Sequence, residues 1–181
     1  WRCSFFDSRI ILATISFCSF MLNLAINGFG RIGRNALKVA LTYPEIQIVA
    51  INDLTDTKTL AHLLRHDTVY GPFEGTVVAE ERSLVINGKK IAVTAEKEPK
   101  ALPWKKMKVD VVLECTGRFT NLEGASDHIK AGAKRVIISA PAKGEGVPTH
   151  VMGVNDQGAG EDAKVINNAS CTTNCIAPVA A

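Results

Sequence analysis

The sequence lacks the features that mark a nucleic-acid-binding or membrane-bound protein. Its 21 Lys and Arg residues oppose 18 Asp and Glu residues, giving a formal net charge of +3, and no run of like charge occurs along the 181 residues. A surface that binds nucleic acid or anionic lipid concentrates one sign of charge, so the sequence predicts neither partner. No apolar run reaches the roughly 20 residues that a membrane-spanning helix needs.

Cysteine is also scarce and unpatterned. The five cysteines are an odd number and contain no CxxC pair. We therefore predict neither a disulfide framework nor a metal site, and we expect a reducing, cytoplasmic location. Apolar residues make up 46% of the chain and charged residues 22%, which is typical of a folded globular domain and not of a disordered chain. The length corresponds to about one domain.

The first twenty residues differ in composition from the rest of the chain. They begin without Met, and an apolar run at Ile10–Ser19 follows Arg2 and Arg9. Such a pattern is found in signal peptides, but no small-residue cleavage site follows before a strand pattern begins after Met21. We interpret residues 1–20 as an extension outside the fold, with a targeting segment as the alternative.

From Met21 onward, apolar runs of strand length alternate with amphipathic segments of helix length. Strands are predicted at Leu22–Asn27 and Ile46–Asn52, on either side of a helix at Arg31–Tyr43 that Pro44 ends. This is a βαβ unit, which builds a parallel sheet. The other predicted elements are a helix at Thr57–His66 with Leu60, Leu63 and Leu64 on its apolar face, antiparallel strands within Thr76–Thr94 joined at Asn87–Gly88, a strand at Val109–Gly117, a helix at about Asn121–Ala131, a strand at Arg135–Pro141, and further strands in THVMGV (149–154) and KVINNAS (164–170).

A GxGxxG motif formed by Gly28, Gly30 and Gly33 lies between the first predicted strand and the first helix. Glycines permit a tight turn and let the backbone approach a pyrophosphate, whose charge the amides at the start of a helix near Arg31 would stabilise. Asp53 follows twenty residues later, at the end of the second strand, which is the spacing of a dinucleotide-binding site.

Asp53 has two possible roles. As a ribose ligand it would accept hydrogen bonds from the hydroxyls of the adenine ribose, and its charge would repel a 2′-phosphate. Leu54 offers no cation to offset that repulsion, so NAD is favoured over NADP. Alternatively, Asp53 caps the helical turn at Thr55–Thr59.

A second polar motif surrounds Cys171. Here a thiol would stand at the N-terminus of a helix, where the dipole and unpaired amides favour the nucleophilic thiolate. The hydroxyls of Ser170, Thr172 and Thr173 would then cap the helix or bind an anionic substrate. The alternative is a buried cysteine flanked by capping threonines.

Other cysteines and histidines suggest structural roles. Cys115, within a buried strand, and Cys175, one turn beyond Cys171, are interpreted as packed core cysteines. His62 and His66 are four residues apart on a helix, a spacing compatible with a metal, but no third ligand is near in sequence.

Five segments of the chain match motifs of a known family: NGFGRIGR (27–34), IND (51–53), ECTG with Arg118 and Phe119, AGAKRVIISAP (131–141) and NASCTTNCIAP (168–178). Together they resemble the phosphorylating glyceraldehyde-3-phosphate dehydrogenase of glycolysis. The resemblance covers Met21–Ala181 and the amino-terminal half of that family's chain. It implies a Rossmann-type α/β domain with a doubly wound, mainly parallel sheet at residues 21–169. It also implies the first helix of a truncated α+β catalytic domain at residues 170–181.

The resemblance also implies roles for individual residues. Cys171 is the nucleophile, Ser170 and Thr172 contact substrate, Arg31 and Ile32 hold the pyrophosphate, Asp53 holds the ribose, Lys97 lies near the adenine, and Ser139 lies near the nicotinamide. The implied reaction is the NAD- and phosphate-dependent oxidation of glyceraldehyde 3-phosphate to 1,3-bisphosphoglycerate by a cytoplasmic homotetramer. Erythrose-4-phosphate dehydrogenase and a non-catalytic NAD-binding fragment are the alternatives.

The family's activating histidine has no counterpart among the four histidines of this sequence. His62, His66, His128 and His150 do not match the pattern of that residue, which we expect beyond Ala181.

Overall fold

The computed structural model describes residues 21–159, 161 and 163–181, so the interpretation of residues 1–20 as an extension lies outside the described residues. The described chain forms twelve helices and strands in one α/β arrangement. In chain order they are β1 (Leu22–Asn27), α1 (Arg31–Ala40), β2 (Ile46–Asn52), α2 (Thr57–Arg65), β3 (Val77–Glu80), β4 (Ser83–Ile86), β5 (Lys89–Thr94), β6 (Val111–Glu114), α3 (Leu122–Lys130), β7 (Arg135–Ile138), β8 (Val165–Asn167) and α4 (Cys171–Ala180), with a short 3₁₀ turn at Pro99–Ala101.

All eight described strands belong to one sheet in the order β3-β4-β5-β2-β1-β6-β7-β8. Strands β5, β2, β1, β6, β7 and β8 run parallel, and only β3, β4 and β5 pair in the antiparallel sense. The chain moves from β1 to β2 on one side and later returns to β6 on the other. This reversal opens a crevice at the carboxyl ends of β1 and β6, where ligands bind in doubly wound folds. The predicted fold class is confirmed.

The central strands are buried on both faces, and successive residues enter different apolar clusters. Leu24 and Ile26 of β1 face the cluster that contains Leu37 of α1. Ala25, between them, faces the opposite cluster around Trp104. This two-sided burial explains why the parallel strands appear in the sequence as continuous apolar runs and not as alternating patterns.

The Asn-Gly hairpin forms as the sequence predicts. Asn87 and Gly88 both adopt positive φ, 51° and 77°, between the antiparallel strands β4 and β5. Two consecutive residues with positive φ match the twist of the flanking strands, which is why the Asn-Gly pair is favoured there.

Some predicted elements are shorter in the structure. Helix α1 ends at Ala40 and not at Tyr43, because the amide of Tyr43 donates to the carbonyl of Ala40 in a tightened turn before Pro44. Strands β6 and β7 also end before the predicted Gly117 and Pro141. Continuous apolar runs carry no signal of where pairing stops.

The strand predicted at 149–154 is wrong, since Thr149 makes only an isolated bridge with Asn167. The side chain of Asn155 accepts from the amide of Val151 at 2.7 Å and donates to the carbonyl of Thr149 at 3.0 Å. It therefore occupies backbone groups that a strand would use. In the 164–170 segment, only Val165–Asn167 forms a strand.

Helix α2 packs through Leu60 and Leu64, which are fully buried, whereas the predicted core residue Leu63 is 37% exposed. The helix presents a narrower apolar face to the sheet than the sequence indicated. Among the described residues, no helix combines the length and apolar character needed to cross a membrane.

This difference between neighbouring leucines gives a test of the packing. Leu64→Ala should lower the free energy of unfolding by about 2–5 kcal/mol, because it removes buried methyl groups and leaves a cavity. Leu63→Ala, the adjacent control, should change it by about 0.5 kcal/mol. Urea denaturation of both variants measures the two effects, and equal losses would contradict the packing described for α2.

Candidate functional site

The turn after β1 contains two glycines, Gly28 and Gly33, at which the surrounding protein leaves no space for a side chain. Gly28 has φ +90°, and a Cβ there would lie 2.8 Å from the amide nitrogen of Thr116. A Cβ on Gly33 would lie 2.2 Å from the carbonyl oxygen of Gly28. Side chains at these two positions would therefore force the turn away from β6 or from α1.

Gly30 differs from the other two glycines of the motif. A Cβ there would meet no protein atom within 4 Å, so the protein's own packing does not require this glycine. Gly30 is exposed at the N-cap of α1, where no side chain caps the helix and no acidic residue occupies the first turn. Free amides, the positive end of the helix dipole and open space together fit a bound phosphate group.

Arg31 and Ile32 begin α1 beside this space. The Arg31 side chain is 56% exposed and lies 3.6 Å from Asp67, while Ile32 is 39% exposed. Asp67 also binds Lys38 and accepts from the amides of Val69 and Tyr70; these backbone bonds are the main reason that its pKa falls to about 2. The network anchors the 67–70 turn next to the start of α1.

Asp53 directly contacts the glycine turn. Its carboxylate accepts from the amide of Phe29 at 2.7 Å and from the amide of Thr55 at 2.9 Å. The helix that follows is capped by Asp56, which accepts from the amide of Thr59 at 3.0 Å. Asp56, and not Asp53, is therefore the N-cap of α2, so the capping alternative for Asp53 is wrong. Asp53 lies at the carboxyl edge of the sheet beside Gly28.

The two more loosely predicted cofactor residues occupy different environments. Lys97 is exposed in the loop after β5. Ser139 directly follows β7, and its amide donates to the carbonyl of Glu114. Part of Cys115 reaches the surface, but burial of the thiol raises its pKa to about 12 in spite of a hydrogen bond with Ser139. Cys115 is therefore a structural cysteine, as predicted.

Cys171 is exposed at the first position of α4. Ser170 is the N-cap, and its hydroxyl accepts from the amide of Thr173 at 2.9 Å while contacting the hydroxyls of Thr172 and Thr173 at 2.9 and 2.7 Å. The sequence-predicted hydroxyls therefore cap the helix and surround its first turn. The preceding Ala169 adopts φ +55°, which turns the chain from β8 into α4.

The buried-cysteine alternative for Cys171 does not hold in the described chain, since the residue is exposed. One turn further along α4, Cys175 is exposed as well, together with Ile176 at 63% and Val179 at 81%. No residue of α4 is buried against the described residues.

The described histidines make their hydrogen bonds and ring contacts with residues other than Cys171. His150 donates from Nδ1 to the carbonyl of Asn155, and His128 is fully buried. His62 and His66 lie together with ring centroids 4.6 Å apart. Within residues 21–159, 161 and 163–181, no group of three or more His, Cys, Asp or Glu residues could hold a metal ion.

Sequence reasoning missed a buried polar cluster at the crevice. Asn27, Asn52, Glu114 and His128 are each at most 5% exposed and are connected by side-chain hydrogen bonds. The signal that could have indicated it is a polar residue at the end of three apolar strands, LNLAIN, IQIVAIN and VVLE.

Comparison with known proteins identifies similar chains. The family model described as "Glyceraldehyde 3-phosphate dehydrogenase, NAD binding domain" matches residues 22–122. Glyceraldehyde-3-phosphate dehydrogenase of Geobacillus stearothermophilus is 55% identical over 160 residues, which is 88% of this chain and 48% of the relative. The Zymomonas mobilis enzyme of the same name is 53% identical over 160 residues, 87% of this chain and 48% of the relative. The chain thus spans about half the length of these curated relatives.

The three described cysteines should differ in alkylation rate. We expect limiting iodoacetamide at neutral pH to modify Cys171 first, because it is exposed at the first position of α4, within the turn where the positive end of the helix dipole acts. Cys175, equally exposed one turn later, is the matched control and should react more slowly. Cys115 should stay unmodified even at about pH 9, because its pKa is about 12. Peptide mass mapping over time measures the order, and early modification of Cys115 would contradict it.

Proposed function

The chain belongs to the glyceraldehyde-3-phosphate dehydrogenase family through its NAD-binding domain, and we propose that the whole protein oxidises glyceraldehyde 3-phosphate to 1,3-bisphosphoglycerate with NAD and phosphate. We assign residues 21–169 to the NAD-binding domain and residues 170–181 to the first helix of the catalytic domain. A cytoplasmic homotetramer is part of the same proposal.

The cofactor of the matched domain is NAD, and the crevice has the groups that NAD needs. The pyrophosphate would lie against the free amides of α1, in the space that Gly30 leaves open, with Arg31 and Ile32 beside it. Asp53 would accept from the ribose hydroxyls while the amides of Phe29 and Thr55 hold its carboxylate in place. Lys97 and Ser139 are assigned to the adenine and nicotinamide sides.

One observation carries the catalytic part of the proposal. Strands β1, β2 and β8 are parallel, so the glycine turn, Asp53 and the segment leading to Cys171 all leave the sheet at its carboxyl edge. An exposed thiol at a helix N-terminus therefore shares an edge with the cofactor crevice. This arrangement suits a nucleophile that forms a bond to a substrate while the substrate is oxidised.

In the proposed reaction, the Cys171 thiolate attacks the aldehyde carbon and forms a thiohemiacetal. NAD, when bound, would supply the acceptor for the hydrogen that leaves this carbon together with its bonding electron pair. The resulting thioester retains the energy of oxidation, and phosphate breaks its carbon–sulfur bond to give an acyl phosphate and the free thiolate. Ser170 and Thr172, whose hydroxyls border the first turn of α4, would hold the anionic substrate.

The base that activates Cys171 is proposed to come from the part of the family's chain that this sequence does not include. His150 is bonded to Asn155, and His128 is enclosed in the core. The second candidate function is a module that binds NAD without turnover. Erythrose-4-phosphate dehydrogenase remains the alternative for the substrate.

Removing the carboxylate of Asp53 should weaken NAD binding more than NADP binding. Asp53→Ser loses hydrogen bonds to the ribose that are worth roughly 1.5–3 kcal/mol each for a charged acceptor, and it removes the charge that opposes a 2′-phosphate. Asp56→Ser, which alters the exposed cap of α2 three residues away, is the control and should leave the preference unchanged. Fluorescence titration with each nucleotide measures the ratio of dissociation constants, and an unaltered ratio in Asp53→Ser would remove this residue from the ribose site.

Turnover should distinguish the two candidate functions. Residues 21–181 alone should not reduce NAD with glyceraldehyde 3-phosphate and phosphate, because loss of a positioned base costs about 10² to 10⁴ in rate. A chain that also contains the family's second half should reduce NAD with glyceraldehyde 3-phosphate and phosphate. It should reduce NAD more slowly with erythrose 4-phosphate as the substrate. Absorbance of the reduced cofactor, with and without phosphate, measures both. Clear phosphate-dependent turnover by residues 21–181 would show that this chain holds its own base, with His150 as the first candidate.

A further inference from the structure

A continuous chain of hydrogen-bonded side chains crosses the carboxyl edge of the sheet beneath the crevice. Asn52 of β2 donates to Asn27 of β1 at 2.7 Å, and Asn27 donates to Glu114 of β6 at 2.5 Å. On the other side, Trp104 donates to His128 of α3 at 2.9 Å, and the His128 ring contacts Glu114 at 3.0 Å. All five residues are at most 5% exposed, so water does not satisfy these groups.

The direction of each hydrogen bond follows from the donor inventory of the side chains. An indole N–H only donates, so Nδ1 of His128 accepts from Trp104 and carries no proton. The ring proton is then on Nε2, which donates to Oε2 of Glu114. Asn27 accepts from Asn52 through Oδ1 and is left to donate through Nδ2 to that same oxygen. The hydrogen bonds from Asn52 through Asn27, and those from Trp104 through His128, therefore both run toward Glu114.

The second carboxylate oxygen of Glu114 accepts from Thr116. The Thr116 amide donates to Oε1 at 2.8 Å, and the Thr116 hydroxyl donates to the same oxygen. Glu114 thus accepts four hydrogen bonds and donates none, which only a carboxylate can do. Reversing the link from His128 or from Asn27 would leave a buried donor facing another donor.

These hydrogen bonds connect the two walls of the cofactor crevice, which are the glycine turn after β1 and the loop after β6. Asn27 directly precedes Gly28, at which the glycine turn begins, and Thr116 lies in the loop after β6, two residues beyond Glu114. The walls nearly touch, since a Cβ on Gly28 would lie 2.8 Å from the Thr116 amide. We propose that Glu114 and His128 are positioning residues for the cofactor, setting the distance between the glycine turn and the Thr116 loop. This inference rests on the proposed cofactor site.

The network predicts unequal effects of similar substitutions. Glu114→Gln keeps the shape of the side chain but turns an NH₂ group toward two donors, so it should raise the dissociation constant for NAD about tenfold. His128→Leu removes the donor to Glu114 and the acceptor for Trp104, and it should have a similar effect. His128→Gln offers one donor and one acceptor and should restore part of the affinity.

A matched control separates positioning from general stability. Leu84→Ala empties a fully buried site in β4, in the other apolar cluster, and should lower the melting temperature while leaving the NAD dissociation constant unchanged. Calorimetric titration with NAD and thermal unfolding monitored by circular dichroism are measured on every variant of the 181-residue chain. If His128→Leu does not fold, the isosteric Glu114→Gln decides the question.

The outcomes are distinct. Weaker binding by Glu114→Gln and His128→Leu, with partial rescue by His128→Gln and unchanged affinity in Leu84→Ala, supports the positioning role. The inference is overturned if Glu114→Gln binds within about twofold of the unaltered chain, or if Leu84→Ala weakens binding as much. A chain that binds no NAD before any substitution overturns the proposed cofactor site and this inference with it.

Discussion

The narrow space around Gly28 constrains the rest of the site. The chain must leave β1, pass within van der Waals contact of the loop after β6, and begin α1 almost at once. Only a residue without a Cβ and with φ near +90° can do this at Gly28, and only glycine at position 33 lets α1 lie against that turn. Because α1 starts there, its free amides face the crevice at the point where the sheet order reverses.

The elements of this fold that could be predicted are those whose sequence signal lies within a few neighbouring residues. Strands β1 and β2 have the predicted bounds, and the hairpin forms at Asn87–Gly88, because each depends on neighbouring residues. The ends of β6 and β7 depend on where a partner strand stops pairing, which no local signal records. The Asn155 side chain, which replaces strand pairing near Thr149, likewise acts through its tertiary position.

The candidate site likewise combines residues that short motifs predicted with contacts between distant residues that were not predicted. Gly28, Asp53 and Cys171 stand in short motifs, and the structure places them at one edge of the sheet. The Glu114 network was not predicted, because its contacts join residues far apart in sequence, with 87 positions between Asn27 and Glu114. Strands β1, β2 and β6 each end in a polar residue, but only the parallel register brings those residues into hydrogen-bonding distance.

The two ends of the crevice carry opposite charge, so each end would favour a different part of one ligand, the pyrophosphate at one end and the ribose at the other. The uncapped start of α1 presents partial positive charge where a pyrophosphate fits, whereas Asp53 presents a full negative charge one strand away. Two backbone amides, of Phe29 and Thr55, fix that carboxylate, so it cannot turn aside for a second anion without breaking both hydrogen bonds. Two unit charges about 4 Å apart repel by about 4 kcal/mol at an effective dielectric constant of about 20. That repulsion exceeds the gain from a single hydrogen bond, so a ribose with free hydroxyls is favoured over one that carries a phosphate.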